Sequence, residues 1–366
     1  MPASRRPSAP LPAPGRRSVL RGTLAALAAG TFGGAALTGC GRVALGGPEE
    51  YTPPPPGIDD LYRRDLLTLL DRAIAGADGI SAADGAEDAE PAFSADLRVL
   101  LAALPVQRRA MLTGAEQERE SEASADPDPD ATAAPAPTDV PADLAELLAV
   151  LVELRDLAAD ASRQVSGSLA RATAAIAART AWSALRLHSS GHAGEVPASP
   201  TAEDLVPRRE VPETDPPSIG AEEDYRTTIE RAQQEEWYAG YVHEVLAARS
   251  TGEERESLLA WSELHRTRAE QLAAVAEEDG APVVVRQAVY ALPGGRLDEE
   301  TAGTLPTTLA QGLLLDHLAL AGAAPFDRRP LSIAAALAEA ELLAGLVDRM
   351  DPLPGLVAEE PPPVED

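Results

Sequence analysis

The sequence predicts an all-α protein made of two tandem four-helix bundles, each with a long crossover between its second and third helices. Three observations carry this. Apolar residues recur at helical spacing in eight segments. In each half the last two helices are joined by a short loop, whereas about 26 residues separate the second and third, far more than a compact unit ordinarily needs. Aromatic residues are only 3% of the chain, so the cores must be built from Leu, Ala and Val.

The first bundle is expected over 59–190. Its first helix, 59–75, repeats Leu66, Leu70 and Ala73/Ile74 on one face. The second starts after Ser94, a good N-cap, and runs to Leu112 before Gly114. Pro105 inside it predicts a kink or a break. The third begins near Pro141 and contains "DLAELLAVLVELRDLAADAS". The fourth, 168–188, is so rich in alanine that it must pack closely on a neighbour or form an oligomer face. Residues 115–139 are polar, acidic and proline-rich, and predict a disordered insert. Residues 191–221 read as a linker of the same kind.

The second bundle repeats the plan over 222–350. Its helices are expected at 222–249, 252–278, 307–323 and 330–350, the last opening with Pro330, well suited to a first helical turn. Residues 351–366 predict a loose tail. One long crossover within four helices is the connectivity of ferritin-like folds. The repeated plan suggests duplication, although no letter-by-letter repeat is visible.

The N-terminus predicts an address. Residues 1–39 hold five arginines and no acidic residue. A basic stretch, an apolar run over 22–37 and a small-residue end make a secretory signal, with Arg16-Arg17 of twin-arginine type. The apolar run has about 16 residues and is shorter than the ~20 needed to span a bilayer. Leu37-Thr38-Gly39-Cys40 resembles a bacterial lipobox, which implies lipidation of Cys40. Cys40 is the only cysteine, so no disulfide or thiolate metal site can form within the chain. Residues 40–58 follow as a tether, with Pro53–Pro56 favouring an extended polyproline path. The expected location is the outer face of the cytoplasmic membrane.

The formal charge is −28, and removal of residues 1–39 takes it to −33. Every basic residue is arginine. Such a chain is a poor partner for nucleic acid or an anionic membrane surface. The partners expected are the membrane, through lipid on Cys40, and basic envelope proteins or further copies of the chain. There is no Gly-rich phosphate loop, no G-x-S-x-G elbow and no H-E-x-x-H.

Four segments, "AQQEEWYAGYVHEVLAAR", "HRTRAEQLAAV", "QAVYALPGG" and "AEAELLAGL", resemble a ferritin-like domain of unknown function found in actinobacterial proteins, often lipoproteins. The resemblance covers about 222–350, and its sharpest features are His265-Arg266-Thr267-Arg268 and Tyr290-Ala291-Leu292-Pro293. Members usually carry Glu-His midway along the first helix; this chain has Glu236-Trp237. The resemblance implies a fold and no activity.

Ferritin-like di-metal centres use one Glu from each of two helices and Glu-x-x-His from the others. No Glu-x-x-His occurs in this half. Glu236, Gly240 and His243 share a stripe on one helix; Trp261, His265 and Arg268 share a stripe on the next. Asp316 and His317 are adjacent and face apart, and the last helix offers Glu339 and Glu341. A reduced metal site could draw on Glu236, His243, His265, Asp316 and His317, for iron, manganese or zinc. Arg268 on the His265 face opposes a metal. The favoured reading is a buried polar network in which Glu236 pairs with His265 or Arg268, since a buried carboxylate must be paired. The sequence therefore favours a non-enzymatic binding or scaffold module. The alternative is a metal-dependent oxidoreductase or metal-storage protein using the second bundle.

Overall fold

Alanine determines the centre of this molecule. In helix α5 (Gly167–Gly191), residues Thr173 to Ala184 are buried without interruption. A helix that is apolar or small on every side belongs in the interior. The neighbours that cover α5 come from both halves of the chain: α2 (Pro91–Met111), α4 (Leu144–Gln164), α8 (Glu299–Ala323) and α9 (Arg329–Ala344). The computed structural model describes residues 56–84, 90–125, 137–210, 222–293 and 297–356. Among them are nine α-helices and no strand. Arg16, Arg17, Leu37, Gly39, Cys40 and most of the tether lie outside the described residues.

The remaining helices are α1 (Ile58–Asp84), α3 (Gly114–Ala125), α6 (Glu222–Ala247) and α7 (Gly252–Glu278). Helices α1, α2, α4 and α5 pack on one another, as do α6 with α7 and α8, and α8 with α9. The main core does not stop between halves. It runs from Leu66, Leu104, Leu151 and Ile176 through Leu314 and Leu318 on α8 to Ile333, Leu337 and Leu343 on α9. The described residues fall within one compact unit, Pro54–Asp366. The helix packing is that of bundles, but α5 is shared by helices of both halves.

Several expected boundaries shift. Helix α2 starts at Pro91 and continues through Pro105, which is exposed, so its ring projects into solvent rather than into the core. Helix α1 runs to Asp84, past Gly76, where an added Cβ would lie 2.8 Å from the Pro141 ring. Only glycine permits that approach. Helix α8 starts at Glu299, not Thr307, because the Asp298 carboxylate accepts from Thr301 N at 2.9 Å. The connection after α7 is correspondingly shorter, and α9 ends at Ala344 rather than Met350.

Three segments expected to be loose have structure. Residues 115–125 belong to α3, started by a reciprocal cap: Thr113 N donates to Glu116 Oε2 at 2.7 Å, and Glu116 N to Thr113 Oγ1 at 3.4 Å. The rest of that stretch, to 136, lies outside the described residues. Residues 196–210 form a strap with a turn at 202–204. Arg155 donates to Pro197 O at 2.7 Å, Gln164 bonds the backbone of Arg208 and Arg209, and Leu205 is buried. Residues 351–356 are tied by Gln107 to Pro352 O at 3.0 Å and by Arg171 to Gly355 O at 2.7 Å. In the last two cases side chains from distant helices satisfy backbone groups that a loose segment would leave to water.

No described helix is long and apolar enough to cross a membrane.

Candidate functional site

Helices α6, α7 and α8 each carry two apolar stretches with a polar step between them. Near one end Ile229, Ala232, Leu272, Ala276 and Leu320 form a small cluster. Toward the other end Ala239, Val242, Leu258, Leu309 and Leu313 form a second. Between these clusters in all three helices fall Glu236, His265 with Arg268, and His317; Glu339 joins them from α9. The result is a buried polar layer with apolar packing on both sides.

The contact between α6 and α7 is close. Gly240 lies where a Cβ would come within 3.0 Å of Arg266 Cγ and 3.2 Å of Ser262 O, and Ser262 Oγ donates to Gly240 O at 2.7 Å. This brings Glu236 within reach of α7. Glu236 is fully buried, and both its oxygens are engaged. His265 Nδ1 donates to Oε2 at 2.7 Å, and His317 Nε2 donates to Oε1 at 2.7 Å. Burial alone would push the Glu236 carboxyl up. The hydrogen bonds from His265 and His317, with their charge, outweigh it and hold the carboxyl at about 2. An ionised carboxylate accepts only, so these bonds place the imidazole protons on His265 Nδ1 and His317 Nε2.

Arg268 completes the layer. Its Nη1 donates to Glu339 Oε1 and stands 3.6 Å from Glu236 Oε1. One guanidinium nitrogen therefore lies between two buried carboxylates. Arg268 also lines a groove of about 470 Å³ against the strap, with Ser199, Thr201, Leu264 and Gln271.

His243 sits beside the layer rather than in it. Its ring stacks on His265 at 5.1 Å and 11°, and meets Trp261 edge-on at 5.5 Å. Nδ1 donates to Ala239 O at 3.0 Å, which leaves Nε2 as a buried lone pair without a partner. Burial, reinforced by the neighbouring His265, lowers His243 to about 4. Asp316 goes elsewhere: it pairs with the exposed Arg231 at 2.8 Å, and burial raises its carboxyl.

The structure thus brings Glu236, His265, Arg268 and His317 together, sets His243 alongside and takes Asp316 away. Glu339 is the member that sequence reasoning left without a role. The available signal was its place among Ala335, Ala336, Ala340 and Leu343, an otherwise small and apolar helix face.

Carboxylates and imidazoles are apt ligands for iron, manganese or zinc. As arranged, these residues do not fit one. Arg268 fills the position between Glu236 and Glu339 that a metal cation would need, and no group of three or more His, Cys, Asp or Glu among the described residues is placed to hold a metal ion. Nor does the layer offer a free nucleophile. Glu236 is buried, ionised and already bonded on both oxygens.

No curated protein and no solved structure matches the chain. A family described as "Domain of unknown function (DUF4439)" matches residues 228–358, a span that includes every residue of the polar layer. The C-terminal half of this chain carries a DUF4439 domain.

Proposed function

We propose that this chain is a non-enzymatic, lipid-anchored binding or scaffold module of the cell envelope, and that the polar layer of its DUF4439 domain is a structural clasp. The observation that carries this reading is the position of Arg268 between Glu236 and Glu339. A guanidinium belonging to the chain supplies the positive charge that ferritin-like centres obtain from metals. His265 and His317 then serve as hydrogen-bond donors to Glu236 and join α6 to α7 and α8. The lipid anchor rests on the signal-like N-terminus and on the single cysteine, Cys40.

The test is the metal content of the full-length chain purified without chelators, beside the double variant Glu236→Ala, His265→Ala. The clasp predicts no stoichiometric iron, manganese or zinc in either protein, and a variant that unfolds at lower denaturant. Near-stoichiometric metal in the wild type, lost in a folded variant, would replace the clasp with the oxidoreductase or storage reading. For the anchor, Cys40→Ala is expected to move the protein from the membrane fraction to the soluble one. Unchanged partition would refute lipidation at that residue.

A further inference from the structure

Three further arginines are buried outside the polar layer, Arg155, Arg179 and Arg329, and of these Arg179 keeps a buried nitrogen without a hydrogen-bond partner. Arg179, on α5, is 1% exposed. None of the ion pairs among the described residues includes it. Its Nη1 donates to Ser183 Oγ and its Nη2 to Val99 O at 3.2 Å, both neutral acceptors, and its guanidinium lies 4.4 Å from the Trp182 ring centre. Its Nε has no partner, and neither does the buried Nε1 of Trp182. Two buried donors on adjacent turns therefore lack an acceptor. Burial lowers the Arg179 guanidinium to about 10, against the opposing charge of Asp351, so it stays a cation at neutral pH.

Arg179 lines a pocket of about 780 Å³ between α2, α5 and residues 348–352. Three further arginines line it: Arg98, Arg186 and Arg349. Arg186 is already neutralised by Asp96 at 3.0 Å and Asp348 at 3.2 Å. Arg98 and Arg349 are exposed and have no ion-pair partner among the described residues. Three cations without a bonded carboxylate thus share one pocket, in a protein whose formal charge is −28. Asp96 and Asp348 also line the pocket, both turned to Arg186, so four arginines face two carboxylates. Ala95, Val99, Ala102 and Met350 make the rest of the wall small or apolar. Fork-shaped guanidinium donors beside such a wall suit an oxyanion, and phosphate above all, because its several oxygens can accept from more than one arginine.

We propose that the pocket between α2, α5 and residues 348–352 binds a phosphate group, free or carried on a headgroup, with Arg179 beneath it and Arg98 and Arg349 at the rim. This site is separate from the polar layer and does not depend on whether that layer holds a metal.

The test is calorimetric titration of inorganic phosphate into the full-length chain, at ionic strength held constant with chloride. Saturable one-site binding with a dissociation constant below about 1 mM is expected. Arg179→Met should weaken it by about tenfold or more, an effect of one lost charge-assisted contact. Removing an unpaired buried charge is often tolerated, so this variant is expected to fold. Should it not fold, the double variant Arg98→Ala, Arg349→Ala carries the test, because both residues are exposed; at least a threefold loss is expected. Arg226→Ala, outside the pocket, should titrate as wild type. A parallel titration with dihexanoyl phosphatidic acid separates the sources: tighter binding than inorganic phosphate assigns the apolar wall to a lipid headgroup, and equal binding assigns the site to free phosphate. The proposal is overturned if phosphate gives no saturable binding up to about 10 mM, or if the rim variant binds as well as wild type.

Discussion

The two halves of this molecule solve the same packing problem with different chemistry. The helices of the first half close on one continuous apolar core in which Leu66, Leu104, Leu151 and Trp182 are almost wholly buried. The second half lends faces of α8 and α9 to that core, and otherwise has two smaller apolar clusters divided by a layer of ionisable side chains. An apolar core tolerates some exchange of shape, since its contacts are non-directional. A layer of buried charges does not, because each member left without its partner bears the full cost of its burial. The second half should therefore be the more brittle, and its stability should respond to acid.

The largest effect is expected from Arg268→Ala. It leaves Glu236 and Glu339 facing each other without a cation, which should cost about 3–5 kcal/mol. Leu151→Ala, in the apolar core, should cost about 3 kcal/mol through the cavity it opens. Urea titration of both variants at pH 8 and pH 5 separates the two kinds of core. The Leu151→Ala deficit should be the same at both pH values. If Arg268→Ala is harmless, the polar layer is not a clasp.

Acid itself should act next. The folded state holds His243 neutral to about 4, well below its ordinary 6.5. The unfolded chain takes up that proton first, so the contribution is complete above pH 6.5 and is lost as pH falls through 4, up to about 3 kcal/mol. Glu236, held at about 2 instead of 4.5, adds a second loss between those two values. Around His243 the ring of His265 disfavours its proton, while Ala239 O and Glu236 favour it. His243→Leu should flatten stability between pH 6.5 and 4 while leaving the lower window; an unchanged slope would show that another group titrates there.

The smallest effect concerns the first half. Thr113→Ala removes one side of the cap that starts α3 and should cost about 1 kcal/mol. Amide hydrogen exchange confined to 114–125 would register it, and unchanged protection there would mean that α3 does not rely on its cap.

Much of this architecture is written in local patterns. Helices α4 to α7 start and stop within a few residues of the positions that periodicity and capping indicate. Glu236, His265 and Arg268 were legible as neighbours because α6 and α7 are joined by a short turn and each carries one polar residue group in an apolar stripe. His317 and Glu339 were harder to read, since their pairing depends on where α8 and α9 dock, which no local spacing encodes. Helix α3 was hidden by its acidic composition, although Thr113 and Glu116 stand at capping-box spacing. The strap at 196–210 was hidden for another reason: what orders it is Arg155, Gln164 and Glu341, residues remote in sequence. Alanine in α5 announced close packing, but not that its partners would come from both halves.

That shared helix separates two borders that usually coincide, that of an inherited sequence unit and that of a folding unit. The family match spans 228–358, yet the faces of α8 and α9 that carry Leu314, Leu318, Ile333 and Leu337 are covered by the core to which α5 belongs. Recombination that moved this segment alone into another protein would strip those faces bare. A host would have to supply its own small-residue helix, or a second copy of the segment, to cover them. In any protein that carries the domain without an upstream α5, the substitute should be sought at the surface formed by α8 and α9.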